Sequence, residues 1–478
     1  MANNEESPNK WKILLSLSLG CLMASINTSI ANVSLPDIGI YFNASVGLTG
    51  LVVTGYFISF IGLALFASKL GDGYGHDRIF KIGVVGMIIT SIMCSISPSI
   101  DILILSRFLQ GIAGALLLAS PMVILEKAFA EKDLGKAYGI YSVSAAVGLA
   151  IGPTIGGLLQ QLYDWRAIFL INVPLGIITF ILAIYSLDKI ERMRIIWDIK
   201  GLTTAFFSIL FVIGTLNFIE DRYFLYAIIG AVLTAISVLG FIKSEQTAVD
   251  PLINLHLFRN KTFTANTINL HLAYIAEYLL IYSIPYFLEK VVHDGPGMVG
   301  VVLSAAPLIM IFIAPISGMI TDKKGVVLPT VIGNIICIIS LVLITFTTNL
   351  SHGLEIFIVF AVYGLGCGLL QSPINKAIMV SVPEKYAGTA SGVIPTSRSL
   401  GISFAVCYGG LILSYAVSSK TLEQETLFGV AAQELTAGLH YVAILGIILC
   451  ILVIILSIAG RPEKKSYESY SSLPKVYT

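Results

Sequence analysis

Apolar runs of about 20 residues recur along the whole chain and constrain its fold more than any other feature. A helix needs about 20 residues to cross the hydrocarbon core of a bilayer. The sequence contains fourteen such runs, numbered here as spans 1 to 14. We therefore predict an all-α polytopic membrane protein with fourteen transmembrane helices. The spans lie near residues 11–35, 46–67, 79–98, 102–125, 135–161, 165–187, 201–219, 224–243, 263–288, 296–320, 328–347, 356–380, 387–416 and 439–460.

The composition is that of a chain whose main solvent is lipid. Of 478 residues, 56% are hydrophobic and only 12% are charged, whereas soluble proteins are roughly 45–50% apolar and about 25% charged. These polar side chains are too few to cover a water-facing globule of this size. The net charge of +1 provides no basic excess for binding nucleic acid. We therefore exclude an ordinary soluble enzyme and expect no nucleic-acid partner.

Positive charge is distributed unevenly between the two sides of the predicted membrane region. If the spans alternate in direction, 23 of the 29 lysines and arginines lie on the side of the N-terminus and 4 on the opposite side. The remaining two, Arg107 and Arg398, lie inside spans. Cytoplasmic loops carry an excess of Lys and Arg. This distribution predicts a multi-pass protein of the cell (cytoplasmic) membrane with both termini in the cytoplasm.

The sequence repeats itself at an offset of about 250 residues. Asp72 and Gly75, after span 2, return as Asp322 and Gly325 after span 10, and the glycines of span 5 return in span 13. The offset places spans 1–6 over spans 9–14 and leaves spans 7 and 8 as an inserted pair. We therefore predict two pseudo-symmetric six-helix bundles, a hairpin and a tail, with boundaries at 1–200 for the first bundle, 201–245 for the hairpin, 246–460 for the second bundle and 461–478 for the cytoplasmic tail.

Paired repeats that meet at a central site are typical of secondary transporters. Enzyme and pump motifs are absent from the sequence: it has no G-x-x-x-x-G-K-[ST], H-E-x-x-H or G-x-S-x-G run. Its six cysteines lie inside apolar runs and form no C-x-x-C pair, so they read as packing residues and not as a metal framework. We predict a transporter that is not an enzyme and has no cofactor or metal.

Span 4 contains an arginine inside the membrane region. Arg107 is followed one turn later by Gln110. A charged side chain within a span costs about 2.5–3.5 kcal/mol on insertion scales, so it needs a partner or water. Arg107 lies near the outer end of span 4, and its side chain can also reach the membrane surface by snorkelling. Gln110 favours an inward-facing pair that takes part in proton or substrate binding.

Span 5 carries a strip of glycines, Gly148, Gly152, Gly156 and Gly157, interrupted by Pro153. Glycines four residues apart let another helix backbone approach closely, and a proline bends the helix. The strip is either a plain packing surface or part of the machinery that changes conformation, and the two interpretations are compatible.

The loop after span 2 includes Asp72, Gly75 and Arg78, and its copy includes Asp322 and Gly325. Glycine permits a tight turn, and the aspartate is available to pair with a basic group in one conformational state only. A solvated turn without such a role is the alternative.

Together these motifs resemble the fourteen-helix drug:proton antiporter branch of the major facilitator superfamily. The loop Asp72–Arg78 is similar to the superfamily's signature loop, Arg107–Gly111 to its helix-4 signature, and Gly148–Gly157 to the antiporter signature of helix 5. The resemblance implies multidrug efflux, in which amphipathic compounds leave the cell by alternating access, driven by inward proton flow. We expect a monomer whose partners are a small amphipathic substrate, protons and membrane lipid.

The chain departs from this family at the usual proton-carrying position of helix 1. The family usually has an aspartate there, whereas this sequence has Asn27, which does not titrate near neutral pH. The repeat offset of 250 takes Asn27 to Glu277 in span 9, and we expect both to line the central cavity at a similar depth. An intramembrane acid is a functional site by default. Glu277 is therefore the predicted carrier of the transported proton, and a structural ion pair with Arg107 or Arg398 is the alternative.

Arg398, inside span 13, is a candidate for binding an anionic substrate group or for tying its helix to a neighbour. Asn27 and the two arginines also leave a second function open, a uniporter or symporter of a small, possibly anionic, metabolite. The antiporter signature of span 5 favours proton-coupled efflux.

Overall fold

The computed structural model is helical through the part of the chain that it describes, residues 9–187, 199–220, 222–248, 255–383, 387–417, 421, 424 and 426–460. The predicted tail, 461–478, lies outside the described residues. Helices α1 to α14 occupy the fourteen predicted spans in order, so the all-helical fold is confirmed. They are α1 Lys10–Phe42, α2 Val46–Tyr74, α3 His76–Ser95, α4 Ile100–Ala128, α5 Glu131–Leu162, α6 Ala167–Ser186, α7 Ile199–Glu220, α8 Phe224–Thr247, α9 Lys261–Phe287, α10 Pro296–Lys324, α11 Val327–Ile344, α12 Gly353–Val380, α13 Ala387–Ala416 and α14 Gly429–Ala459.

The helices run alternately in opposite directions, so α1 begins and α14 ends on the same face. We call this the terminal face, and we call the opposite face, which carries the turns after α1, α5 and α9, the distal face.

Thirteen of the fourteen helices are long and apolar enough to span a membrane by length and composition. The exception is α9. Helix α9 is less apolar because it carries polar side chains such as Asn266, Asn269 and Glu277. Most of its residues, 20 of 27, are buried. A helix enclosed by other helices can carry polar groups that would be costly against lipid.

Several spans are interrupted helices. In α1 a 3₁₀ turn, Ala31–Ser34, precedes Pro36, and α4 breaks just before Pro121. A proline has no N–H to donate and its ring clashes with the preceding turn, which explains both positions. A π-helical turn, Leu288–Val292, follows α9 on the distal face.

The apolar core is continuous across the two bundles only in part. One large cluster runs from the distal half of the first bundle into the second bundle. The terminal half of the first bundle has a separate cluster, which contains Leu17, Phe80 and Leu125. The bundles therefore share a core near the distal face, whereas the first bundle packs on itself near the terminal face.

The inserted hairpin joins the bundles along one side. Helix α7 packs beside both α2 and α13: Phe206 lies against Gly62 of α2, and Asn217 lies 3.8 Å from the Cys407 sulfur of α13. Helix α8 packs mainly on α7 and directs many apolar side chains outward. The predicted boundaries at 200/201 and 245/246 cut into α7 and α8, because the two helices extend beyond their most apolar segments.

Close helix packing makes one glycine a direct test of the fold. A Cβ atom on Gly83 of α3 would lie 2.7 Å from the Leu117 Cα atom of α4. Overpacking of this kind typically costs about 1–3 kcal/mol. We predict that Gly83→Val lowers the melting temperature of the purified protein, followed with a thiol-reactive dye that reports on the six buried cysteines.

The matched control is Gly139→Val in α5, because a Cβ atom added at Gly139 would have no neighbouring atom within 4 Å. Equal losses in the two variants would contradict the close packing of α3 on α4.

Candidate functional site

Arg107 is fully buried in the first bundle, and its guanidinium binds neutral groups. Its Nε donates to the Val52 carbonyl at 2.8 Å, and its Nη1 donates to Gln110 Oε1 at 2.6 Å and to Asn27 Oδ1 at 3.2 Å. The Tyr56 ring lies 4.8 Å from Cζ. No carboxylate pairs with Arg107 among the described residues. The side chain faces inward and does not snorkel to the membrane surface.

Further hydrogen bonds extend this cluster over five helices, α1, α2, α3, α4 and α6. Gln110 Nε2 donates to Ser91 Oγ at 2.8 Å, and Asn172 Nδ2 donates to Asn27 Oδ1 at 3.2 Å. Asn27 Oδ1 therefore accepts from two donors, while Asn27 Nδ2 and Arg107 Nη2 are buried without a partner in the described part of the chain. We call Asn27, Ser91, Arg107, Gln110 and Asn172 the arginine cluster. It links five helices of the first bundle and leaves the guanidinium without a carboxylate partner among the described residues.

Glu277 lies in a second polar cluster, in the other bundle. Its Oε2 accepts from Gln371 Nε2 of α12 at 3.0 Å, and Gln371 Oε1 accepts from the Tyr274 hydroxyl at 3.2 Å. One amide thus holds both the carboxyl group and the phenol. Glu277 forms no salt bridge with Arg107 or Arg398 among the described residues, so the structural ion pair is not observed.

Arg398 of α13 completes this second cluster. Its side chain is exposed although it lies deep in the helix, next to Tyr274 and Tyr278 of α9 and facing Cys21 of α1. An exposed arginine between the two bundles indicates a solvent-accessible space there. We call Tyr274, Glu277, Gln371 and Arg398 the carboxyl cluster.

The repeat register that led from Asn27 to Glu277 is wrong by one residue. A Cβ on Gly148 of α5 would meet the Leu22 carbonyl oxygen at 2.8 Å, and a Cβ on its repeat partner Gly401 of α13 would meet the His271 carbonyl oxygen, also at 2.8 Å. The remaining neighbours of the two added Cβ atoms also correspond. They are the Cβ of residue 25 and the N of residue 26 in the first bundle, and the Cβ of residue 274 and the N of residue 275 in the second.

Equivalent residues of α1 and α9 at this crossing therefore differ by 249. Asn27 corresponds to Ala276, and Glu277 corresponds to Thr28. One residue turns a side chain by about 100° around a helix of 3.6 residues per turn. This turn explains why Asn27 is enclosed in its own bundle and does not line the cavity, contrary to expectation.

The glycine strip of α5 packs against two helices at once. Gly148, Gly152 and Gly156 face α1 within the bundle. Gly157 faces α10 of the other bundle, where a Cβ would lie 2.9 Å from the Pro296 carbonyl carbon. Likewise, a Cβ on Gly300 of α10 would lie 3.0 Å from the Pro153 carbonyl carbon.

A hydrogen bond accompanies this contact between the bundles. Thr154 and Ser304 share a hydroxyl–hydroxyl hydrogen bond of 2.7 Å across the two helices. The strip therefore closes the distal half of the boundary between the bundles.

The two repeated loops have the same turn but different partners. Gly75 and Gly325 both have positive φ, 99° and 80°. Asp72 Oδ1 lies 3.0 Å from His76 Nε2, and the other ring nitrogen of His76 lies 3.2 Å from Ser120 Oγ, at the break in α4. Asp322 pairs with Lys376 of α12, and Arg78 is exposed.

Sequence reasoning missed Gln371, the residue that binds Glu277. A polar residue inside a predicted span was the available signal, and it is the same signal that identified Gln110. Three acidic residues near the distal face were also missed: the buried Glu220, Glu289 with its buried carboxylate oxygens, and the half-buried Asp37. They lie at span ends, where a carboxyl group normally reaches water.

Comparison with known proteins now identifies the family. The family model for the Major Facilitator Superfamily matches residues 17–406. The chain belongs to the major facilitator superfamily. The riboflavin transporter RibZ of Clostridioides difficile (strain 630) is 29% identical over 92% of this chain and 97% of its own. The multidrug resistance protein Stp of Mycobacterium tuberculosis (strain CDC 1551 / Oshkosh) is 28% identical over 86% of this chain and 77% of its own. The tetracenomycin C resistance and export protein of Streptomyces glaucescens is 28% identical over 85% of this chain and 76% of its own.

Solved structures share the fold. A bacterial homologue of the human lysosomal transporter Spinster, in an inward-facing and unoccupied conformation, superimposes with a TM-score of 0.71 at 16% identity, over 96% of this chain and all of that one. A peptide transporter POT mutant superimposes with a TM-score of 0.68 at 12% identity over 94% of each chain. These comparisons indicate a multi-pass membrane transporter and not an enzyme.

The arginine cluster predicts an unusual response to an added buried charge. In Asn27→Asp, a carboxylate would accept hydrogen bonds from both Arg107 and Asn172 and would neutralise the guanidinium. Hydrogen bonds to charged groups contribute about 1.5–3 kcal/mol. We expect a higher melting temperature than that of the unmodified protein.

Asn172→Asp is the matched control, because its carboxylate would face the Asn27 Oδ1 acceptor and gain no guanidinium contact. We expect it to lower the melting temperature. If both substitutions destabilise the protein equally, the cluster is not arranged as described.

Proposed function

We propose that this transporter exports small amphipathic, drug-like compounds in exchange for protons. The observation that carries the proposal is Glu277, a buried carboxyl group held by Gln371 beside a solvent-accessible arginine at the boundary between the bundles. Relatives whose names describe multidrug resistance and antibiotic export support the substrate class.

The chemistry of exchange follows from one carboxyl group with two uses. When Glu277 is protonated it is neutral, and the hydrogen bond from Gln371 is sufficient to hold it. When Glu277 is ionised in apolar surroundings, it needs a positive partner. Arg398, in the same cluster, offsets part of this charge but forms no salt bridge with Glu277 among the described residues. A cationic substrate provides the direct partner. Because proton and substrate compete for one group, a proton bound from outside displaces the substrate, and loss of that proton inside allows the next substrate to bind.

Alternating access then requires the two bundles to rock about this site. In the proposed cycle, the α5–α10 contact closes the distal half and separates when the site opens to the other side. The excess of lysine and arginine near the terminal face supports a cytoplasmic orientation of that face, with the distal face outside the cell membrane. One chain contains both bundles and the complete carboxyl cluster, so the proposed functional unit is a monomer.

The second candidate is a uniporter or symporter of a small, anionic or aromatic metabolite. Arg398 supports it, because an exposed guanidinium at the boundary between the bundles can bind a carboxylate or phosphate. The relative named as a riboflavin transporter also supports it.

We predict that Glu277→Gln abolishes proton-coupled transport in proteoliposomes. The amide has nearly the same shape and keeps a hydrogen-bonding group near Gln371, but it cannot carry a proton. Efflux driven by an imposed pH gradient should fall to the rate of empty liposomes, while binding of neutral substrates persists. The control is Glu355→Gln, at an exposed glutamate of α12. Efflux that is equally fast in Glu277→Gln and in the unmodified protein would rule out Glu277 as the proton carrier.

A panel of cationic, neutral and anionic compounds separates the two candidate functions. Proton-coupled efflux predicts that an imposed pH gradient accelerates transport of cationic compounds and that Arg398→Gln leaves this transport largely intact. The metabolite transporter predicts transport of anionic compounds that is lost in Arg398→Gln. The measurement is uptake into proteoliposomes with and without the gradient.

A further inference from the structure

A buried carboxyl group near the distal face has no role in the function proposed above. Glu289 lies in the π-helical turn that follows α9. Both of its carboxylate oxygens are buried and have no hydrogen-bond partner among the described residues. Buried polar atoms normally have such partners. An ionised carboxylate without donors is costly to bury, whereas the protonated acid is neutral.

The nearest negative charge makes ionisation of Glu289 still less favourable. Asp37 of α1, which belongs to the other bundle, is its acidic neighbour, and Tyr286 and Lys290 are the other titratable groups beside it in the described part of the chain. The Lys290 ammonium donates to the Gln424 carbonyl at 2.7 Å. Burial, together with the Asp37 carboxylate, raises the pKa of Glu289 well above its usual range in spite of Lys290.

Asp37 forms a side-chain hydrogen bond with a residue of its own bundle, the first bundle. Gln160 of α5 donates to Asp37 and accepts from Ser34. The same segment of α5 contains Gly157, which touches Pro296 of the second bundle. Asp37 and Glu289 therefore approach each other only because the bundles meet at the distal face.

We propose that Glu289 and Asp37 form a second proton-binding site, which takes up a proton when the distal face closes and releases it when that face opens. In the open form the two carboxyl groups lie on separate bundles and contact water, so both ionise at ordinary pH. In the closed form Glu289 is enclosed next to Asp37 and stays neutral. The direction follows from linkage: acid favours the closed distal face, and raising the pH favours opening.

This inference rests on the alternating access of the proposed function, but not on its substrate or direction of transport. Sodium binding between the two carboxylates is the competing explanation. It predicts that closure depends on sodium concentration and not on pH.

The test measures the distance between the bundles at the distal face directly. Spin labels at Leu162→Cys in the first bundle and Leu350→Cys in the second, both at strongly exposed positions of the distal face, report opening by pulsed electron spin resonance. The six native cysteines are buried and are replaced where they react. The protein is studied in lipid nanodiscs, where both faces share one pH, from about pH 5 to about pH 8 at constant sodium.

The proposal predicts a shift from the short-distance to the long-distance population as the pH rises. Glu289→Gln should stay in the short-distance population at every pH, and Asp37→Asn should need a lower pH for closure, because the neighbouring negative charge is gone. Glu434→Gln, at an exposed glutamate near the same face, should behave like the unmodified protein.

A pH response of unchanged size and midpoint in Glu289→Gln would overturn the proposal, and so would a response to sodium alone. A single, pH-independent distance in the unmodified protein would overturn it as well. Failure of the Glu277 transport experiment, by contrast, leaves this result unaffected. Infrared spectra of the closed protein provide a second readout: the band of a protonated carboxyl group should be weaker in Glu289→Gln, and an unchanged band would contradict a neutral Glu289.

Discussion

The whole arrangement depends on the close approach of the α5 backbone to helices on both of its sides. Lipid gives helices no hydrophobic reason to associate, so packing and hydrogen bonds must hold the bundles together. Three glycines bring α5 onto α1, and Gly157 with Pro153 brings the same helix onto α10. A contact made by backbone surfaces is strong when the surfaces meet and has no long side chains to disentangle when they part. This combination suits a boundary that must close and open repeatedly.

Two of the buried charged groups, Arg107 and Glu277, lie in different bundles. The first bundle holds a guanidinium surrounded by amides, a carbonyl and aromatic rings, and the second holds a carboxyl group that accepts from one glutamine. Arg107 keeps its charge at any ordinary pH, so its cluster is a fixed structural element. Glu277 can change its charge, and it lies in the bundle whose exposed arginine marks the accessible space. Fixed charge in one bundle and variable charge in the other is a simple basis for coupling protons to movement.

Much of the fold was predictable from the sequence because crossing a membrane imposes a strict length and composition on each helix. The glycine motif of span 5 also predicted close helix packing correctly, because glycines four residues apart let a neighbouring helix backbone approach. Helix breaks such as that before Pro121 were not predicted, because a hydropathy pattern reports burial and not backbone continuity. The predicted equivalence of Asn27 and Glu277 was wrong by one residue. The offset of 250 was measured between the loops at Asp72 and Asp322, whereas α1 and α9 are related by an offset of 249.

Residues whose importance comes from tertiary contact could not be found from spacing. Glu289 looks like a surface residue in the sequence, because it follows the last apolar turn of span 9, and only the folded structure shows that its carboxylate oxygens are buried. Gln371 could have been noticed as a polar residue inside a span. Its contact with Glu277 could not be predicted, because Glu277 lies on a different helix, 94 positions earlier in the chain.

The contact between α5 and α10 as the closing element of the distal face is the central claim, and a reversible cross-link tests it most directly. The Thr154 and Ser304 hydroxyl oxygens lie 2.7 Å apart across the two helices, so cysteines at these positions should form a disulfide under mild oxidation. The account predicts that transport stops when the disulfide forms and returns fully after reduction, while either single cysteine variant transports in both conditions. Undiminished transport by the cross-linked protein would show that these helices need not separate, and would contradict the account.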